Sequence, residues 1–370
     1  MITLFAILIF GFTAATLLTP PNEYSETENR TLAQLPKPTG ESLLSGEFEE
    51  DYEDYLTDQF VLRDKWIGLK TDVERMMFRR ESKDIYFAED DYLIEKHTGA
   101  FTGAQADANI HALAAFFEQY QGQFQGHMTA MVVPNAVSVL REKLPPFASP
   151  YDENLYLEQI REALPEGVWF DTAEILQQHS SEDIYYRTDH HWKTGAAFYV
   201  YQEWARAQGL HMPQSDEFEI TTVTEEFEGT IQSKLGIETR KDSIELYLPK
   251  EDLFYTVQKE EGQEISYSLY DEPLLETKDK YGVFFGGNHA VIRVRTKAAN
   301  GKRILVIKDS YANCFVPFLL PEFEAIDLLD VRYYNQKVSE LIEAGNYTDI
   351  LFLYNAAGFA EESSIVRLGY

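Results

Sequence analysis

Apolar and polar positions fall into four regimes along the chain. Residues 2–18, "ITLFAILIFGFTAATLL", are apolar without a charge and stop at the Pro20–Pro21 pair. A polar stretch rich in Ser, Thr, Pro and Glu follows, and from Glu47 the spacing turns helical: Phe48, Tyr52, Tyr55, Leu56 and Phe60 recur every three to four residues. A second helix is predicted over 64–78. Beyond residue 90 the pattern alternates. Helices are predicted in "DANIHALAAFFEQY", "NLYLEQIREAL", "TGAAFYVYQEWARAQG" and "NQKVSELIEAG", with Thr194 as N-cap and Gly209 near the C-terminus of the third. Strands are predicted in "MTAMVVP", at the start of "VWFDTAEIL", and in "RILVIKDS", "EAIDLLDV" and "DILFLYN". A helix through "ANCFVPFLL" follows the third of these. Residues 213–285 break the rhythm with β-branched and aromatic alternation, which predicts a β-rich insertion.

This order gives a domain plan. Residues 1–19 form a membrane anchor or a signal peptide, 20–90 a linker with edge helices, and 91–370 an α/β domain interrupted at 213–285. Alternating strands and helices predict a mostly parallel sheet flanked by helices. At about 1.5 Å per residue the first segment lies at the lower limit for spanning a bilayer and exceeds a usual signal-peptide core. The expected location is the extracytoplasmic face of the cell membrane, with secretion as the alternative.

Charge narrows the classes of partner. The 370 residues carry a formal charge of −30, with acidic residues spread throughout. Nucleic acid is therefore not an expected partner, because phosphate neutralisation needs a basic face. The single cysteine, Cys314, leaves no intrachain disulfide to form.

In open α/β sheets ligands bind beyond the carboxyl ends of strands. Polar groups follow apolar strands at Asn135, at Ser310, at Asn355, and in the loop "YYRTDHHWKTGAA", which carries Asp189, His190, His191 and Trp192. A serine hydroxyl needs a histidine to take its proton, and a carboxylate fixes the tautomer of that histidine. Ser310, at a strand-to-helix turn, can thus combine with Asp189 and one of the two histidines. Spacing alone does not say which. The competing reading of each piece is structural: a serine after a strand is often a helix cap, and an Asp-His pair often orders a loop. Metal ligation is disfavoured, since adjacent histidines rarely aim both rings at one ion and no HxxxH or cysteine pair is present. No metal or other cofactor is expected. Cys314, on an apolar stretch one turn past Ser310, reads as a buried thiol.

At these residues the chain resembles a known family. "RTDHHWKTGAAF" is similar to the signature of the DHHW proteins, and "VIKDSYANCFVPFLL" with "DLLDVRYYN" to that family's second block. "ENRTLAQLPKP" and "FEEDYEDYLTDQFVLRD" resemble the N-terminal region shared with the SGNH-like proteins of alginate acetylation. "TDHH" also looks like the motif of manganese phosphoesterases, but that family needs aspartate-rich strand ends, and residues 128–172 offer only Asp152 and Asp171.

The DHHW resemblance implies an SGNH-hydrolase-like, flavodoxin-like α/β fold. It implies Asp189 as orienting acid, His191 as general base and Ser310 as nucleophile, with His190 in the variable middle position. Asn355, Asn135, Asn288 and Asn313 are the candidates for an oxyanion-stabilising side chain, and Trp192 and His190 for shaping the loop or substrate floor. Relatives of this type move acetyl groups on cell-surface or secreted polysaccharides, often with a membrane-bound O-acyltransferase as acyl supplier. The sequence departs from ordinary SGNH enzymes in having Lys308 where Gly-Asp-Ser has its glycine. The alternative that this departure suggests is a non-catalytic carbohydrate-binding or scaffolding subunit of a polysaccharide assembly complex.

Overall fold

The structure, a computed structural model, describes residues 2–25, 30–251, 253–259 and 265–369. Met1 of the expected anchor, Glu28 and Asn29 of the N-terminal resemblance, and residues 252 and 260–264 of the expected insertion lie outside the described residues.

Residues separate into two compact units, Met1–Lys83 with Thr230–Thr239, and Asp84–Gly229 with Arg240–Tyr370. In the first unit, helix α1 (Ile2–Leu18) is apolar on every side, and among the described residues no helix is long and apolar enough to cross a membrane. Helix α2 (Gly40–Ser45) is closed by a reciprocal Thr39–Ser42 capping box, and α3 (Glu47–Asp58) and α4 (Arg63–Met76) follow. Asp58 anchors the preceding segment by accepting from the Arg30 guanidinium and the Ala33 N–H. Gly68 on α4 meets the short helix Thr230–Leu235 so closely that a Cβ there would stand 2.2 Å from the Gly236 carbonyl oxygen.

The second unit is a three-layer α/β arrangement. Helices α5 (Ala104–Tyr120), α6 (Glu153–Ala163), α7 (Thr194–Ala207), α8 (Val338–Gly345) and α9 (Ala356–Glu361) accompany strands β1 (Met128–Val133), β2 (Phe218–Phe227), β3 (Asp242–Pro249), β4 (Tyr255–Lys259), β5 (Ile265–Ser266), β6 (Val291–Thr296), β7 (Arg303–Lys308), β8 (Ala325–Leu329) and β9 (Asp349–Asn355). Seven strands form one sheet in the order β5-β4-β6-β8-β7-β9-β1. Strands β8, β7, β9 and β1 are mutually parallel, as the alternation predicts, and β6, β4 and β5 extend the sheet in antiparallel fashion.

Successive side chains of the parallel strands enter opposite cores, as the two-residue period requires. Met131, Val133, Val306, Leu351 and Leu353 join α7 residues Val200, Tyr201 and Trp204 on one face. Val132, Ile307, Phe352 and Tyr354 join Leu113, Phe116 and Ile160 of α5 and α6 on the other. With both faces covered, these strands read as continuous apolar runs, which is why they are visible in the sequence.

Three local expectations need correction. Residues around Trp169 make only an isolated bridge to Ala130 rather than a strand. Lys193 stands at the N-cap position of α7 without a side-chain capping bond, and Thr194 is the first helical residue, its hydroxyl donating to the Glu245 carbonyl at 2.8 Å. The segment after Ser310 is two 3-10 turns, Ser310–Cys314 and Val316–Leu319, and Pro317 in the second lacks the N–H that an α-helix would use. Within 213–285, β2 and β3 pair as a separate antiparallel hairpin, whereas β4 and β5 belong to the main sheet.

Candidate active site

The motif loop folds back on itself. Tyr185 and Trp192 form an antiparallel bridge, the Tyr186 N–H donates to the His191 carbonyl at 3.2 Å, and the Lys193 N–H donates to the Ile184 carbonyl at 2.9 Å. Residues 187–190 form the tip of this turn. Asp242, the first residue of β3, grips that tip by accepting from the Arg187 N–H at 3.0 Å and from the Thr188 N–H and hydroxyl at 2.8 and 2.7 Å. Gly229 closes over it: a Cβ there would lie 2.2 Å from the Asp189 Cβ.

Ser310 follows β7 at the carboxyl edge of the parallel strands, where Asp309 caps the turn by accepting from the Tyr311 N–H. The other Asp309 oxygen accepts from the Asn355 N–H at 2.8 Å and its side-chain amide at 2.6 Å, tying the ends of β7 and β9 together. Burial raises the pKa of Asp309, against the pull of Arg332 and these donors.

The two loops meet. His191 Nδ1 is 2.5 Å from Asp189 Oδ1, and His191 Nε2 is 2.7 Å from Ser310 Oγ. The carboxylate can only accept from Nδ1–H, which leaves the Nε2 lone pair to accept the serine proton. Burial first, and then neighbouring His190, push the His191 pKa down to about 4 against the pull of Asp189, so the ring is neutral near pH 7. Trp192 Nε1–H donates to the Tyr311 carbonyl at 2.8 Å, and the Tyr311 hydroxyl donates to the His190 carbonyl. The two loops are therefore cross-tied by two hydrogen bonds besides the Ser-His contact.

Residues 168–329 match the family model described as DHHW protein. This DHHW segment contains Asp189, His190, His191, Trp192, Asp242, Tyr281 and Ser310, whereas Asn135 and Asn355 lie outside it. Among solved structures the chain is similar to a DHHW family protein from Eubacterium siraeum DSM 15702, with 24% identity, 78% of this chain and 95% of that chain covered, and a TM-score of 0.67. It is also similar to Bacillus cereus PatB1 solved with a sulfonyl adduct, with 22% identity, 76% and 96% coverage, and a TM-score of 0.63. At these identities the likeness is one of fold. No curated protein matches the chain.

The remaining candidates divide. Asn355 is committed to the strand ends, donating to Asp309 and accepting from the Gly358 N–H at 2.8 Å and Asn135 Nδ2 at 3.1 Å. Asn135 Oδ1 in turn accepts from the Ala357 N–H. Asn313 is buried and accepts from Lys308 Nζ at 2.7 Å. Asn288 is exposed and takes no part in these ties. Lys308 is itself buried, and that burial lowers its pKa to about 8 against the pull of Asp330 and Asp309. Its ammonium is held inside the fold by the bond to Asn313, five residues further along the chain.

The His190 ring lies beside His191 at 4.0 Å between centroids, tilted by 34°, with Nδ1 3.6 Å from Asp189 Oδ1. Among the described residues Asp189, His190 and His191 form a cluster of metal-ligand types, but both His191 nitrogens are engaged by Asp189 and Ser310. Burial raises the Cys314 thiol to about 12, so it stays protonated.

Several participants have no sequence signal of their own. Tyr281 and Asp242 come from the insertion, whose aromatics and acids are indistinguishable from a small core and a solvated face when read by pattern. Glu153 accepts from the Asn135 N–H at 2.8 Å and is raised by burial to about 8. Its place at the start of an amphipathic helix predicts an ordinary first-turn acid.

Proposed function

We propose that this chain is a serine acyltransferase or esterase that moves acetyl groups to or from the hydroxyls of a cell-surface or secreted polysaccharide. The observation that carries this reading is the linear chain Asp189–His191–Ser310, with its two contacts of 2.5 and 2.7 Å and a neutral, buried imidazole. In the first half-reaction Ser310 Oγ attacks the acetyl carbonyl while its proton passes to His191 Nε2. The bond to the donor oxygen then breaks, and His191 returns the proton to that departing oxygen. Acetyl-Ser310 remains. A sugar hydroxyl, or water, next gives its proton to His191 Nε2 and attacks the acetyl carbon; the bond to Ser310 Oγ then breaks and His191 returns that proton to Oγ, restoring the neutral pair.

The Ser310 backbone N–H, which has no acceptor among the described residues, is the available oxyanion donor at the turn. PatB1, similar in fold, has been captured with a sulfonyl adduct, which supports testing Ser310 with a sulfonyl reagent. We place the chain at the extracytoplasmic side of a membrane through α1, with a membrane-bound O-acyltransferase as acyl supplier.

A binding or scaffolding role is the second reading. It is favoured by the use of the Asn135 and Asn355 side-chain amides as donors in structural bonds. A chromogenic acetyl ester separates the two readings. The acyl-transfer reading expects Ser310→Ala to lower turnover by on the order of 10⁴ and Asp189→Asn by a similar factor. It also expects a sulfonyl fluoride to add one group to the native chain and none to Ser310→Ala. Equal rates for native chain and Ser310→Ala would sink it.

A further inference from the structure

Helix α4 is turned inside out. Its outward side carries Leu62, Trp66, Leu69, Val73 and Met76 at the four-and-three spacing of one helix face, each between 40% and 69% exposed. Its inward side is mostly small or polar, with Ile67 its one half-buried large apolar side chain beside Gly236: Gly68 abuts Gly236, and the Thr71 hydroxyl donates to the Leu235 carbonyl at 2.9 Å. A helix that serves a protein core has the opposite arrangement. Met77 and Phe78 continue the exposed apolar surface past the helix end.

The charges beside this stripe set it apart from the rest of the chain. Lys65 and Lys70 flank it on either side, and residues 63–83 hold seven Lys or Arg against four Asp or Glu in a chain of net charge −30. The stripe also joins the apolar α1. The Phe12 ring meets the Trp66 ring edge-on at 5.2 Å, and the Val61 N–H donates to the Thr16 hydroxyl at 3.3 Å.

We propose that α4 lies along an anionic lipid surface, with its apolar stripe in the headgroup layer and Lys65 and Lys70 against lipid phosphates. An apolar face edged by exposed lysines fits that occupant, because lysine stems can lie on apolar surface while their ammonium groups reach phosphates, and Lys70, 61% exposed, is held only by a loose 3.9 Å contact with Glu74. A second copy fits less well, because self-pairing brings the two basic margins together. This inference rests on the reading that α1 attaches the chain to a bilayer, and it is independent of the Ser310 chemistry.

The test uses the full chain with vesicles of phosphatidylglycerol and phosphatidylcholine whose acyl chains carry bromine. Flotation reports attachment, and bromine quenching of tryptophan reports depth. The expected result is quenching that disappears in Trp66→Phe and falls by about half in Lys65→Glu/Lys70→Glu at low salt. Circular dichroism and the unfolding midpoint of each variant check that the exposed substitutions leave the fold intact. A chain that fails to float overturns both this inference and the attachment reading. A chain that floats with Trp66 unquenched overturns this inference alone. So does crosslinking of Met76→Cys between copies on dilute vesicles, which gives the stripe to a second chain.

Discussion

The Tyr281 ring lies flat on the His191 imidazole, with centroids 3.8 Å apart and planes 16° from parallel, while its hydroxyl donates to the Ser310 carbonyl at 3.2 Å. One side chain from the insertion thus both shields the base from water and steadies the serine. Tyr281→Phe keeps the ring and loses the hydroxyl bond, for an expected cost of about 1 kcal/mol. Tyr281→Ala opens the imidazole to solvent. Its acid limb in kcat/KM is expected to move from near 4 upward toward the ordinary histidine value, by about one pH unit or more. A pH–rate profile of ester turnover for native, Phe and Ala chains checks both, and an unmoved limb in the Ala chain contradicts the shielding role.

The depressed pKa of His191 also makes stability depend on pH. Its folded value of about 4 lies below the unfolded value, so between the two the unfolded chain binds more protons and stability rises with pH. The contribution is complete above about pH 6.5 and is lost as pH falls through about 4, amounting to about 3 kcal/mol in all. Urea unfolding at pH 7, 5 and 4 should show native chain and His191→Phe converging as the pH falls. Parallel curves would count against a buried neutral histidine.

Gly229 has no room for a methyl group beside Asp189. In Gly229→Ala the new Cβ meets backbone and Cβ atoms of residues 188 and 189, none of which is the far end of a flexible side chain. The expected outcome is a loss of about 1–3 kcal/mol from overpacking, together with a fall in turnover as Asp189 is displaced from His191. Thermal unfolding and ester turnover, measured on the same preparation, should fall together.

The parallel half of the sheet was legible because its strands are apolar on both faces and each is followed by a punctuating polar residue. Ser310 and the motif loop were legible for the same reason: both sit where the apolar pattern stops. The choice of His191 over His190 came from the family resemblance, and the structure directs His191 at Ser310 while the His190 ring lies tilted beside it. Asp242 and Tyr281 were not legible, since their importance lies in contacts 54 residues from Thr188 and 29 residues from Ser310 in sequence, which no local period encodes. The surroundings of the asparagines were equally illegible: Asn135 and Asn355 stand at strand ends as an oxyanion donor should, and their side chains also bond each other and Asp309 there.

Trp192 reaches the Tyr311 carbonyl while Tyr311 reaches back to the His190 carbonyl, so the base-bearing and serine-bearing loops hold each other. Neither can swing away without breaking a buried tie to the other. The entropy of aligning base and nucleophile is therefore lost once, as the chain folds, instead of at every turnover. With that pair held in place, the half-open side of Ser310 is the one face from which, under the proposed function, an acceptor hydroxyl or water would have to approach.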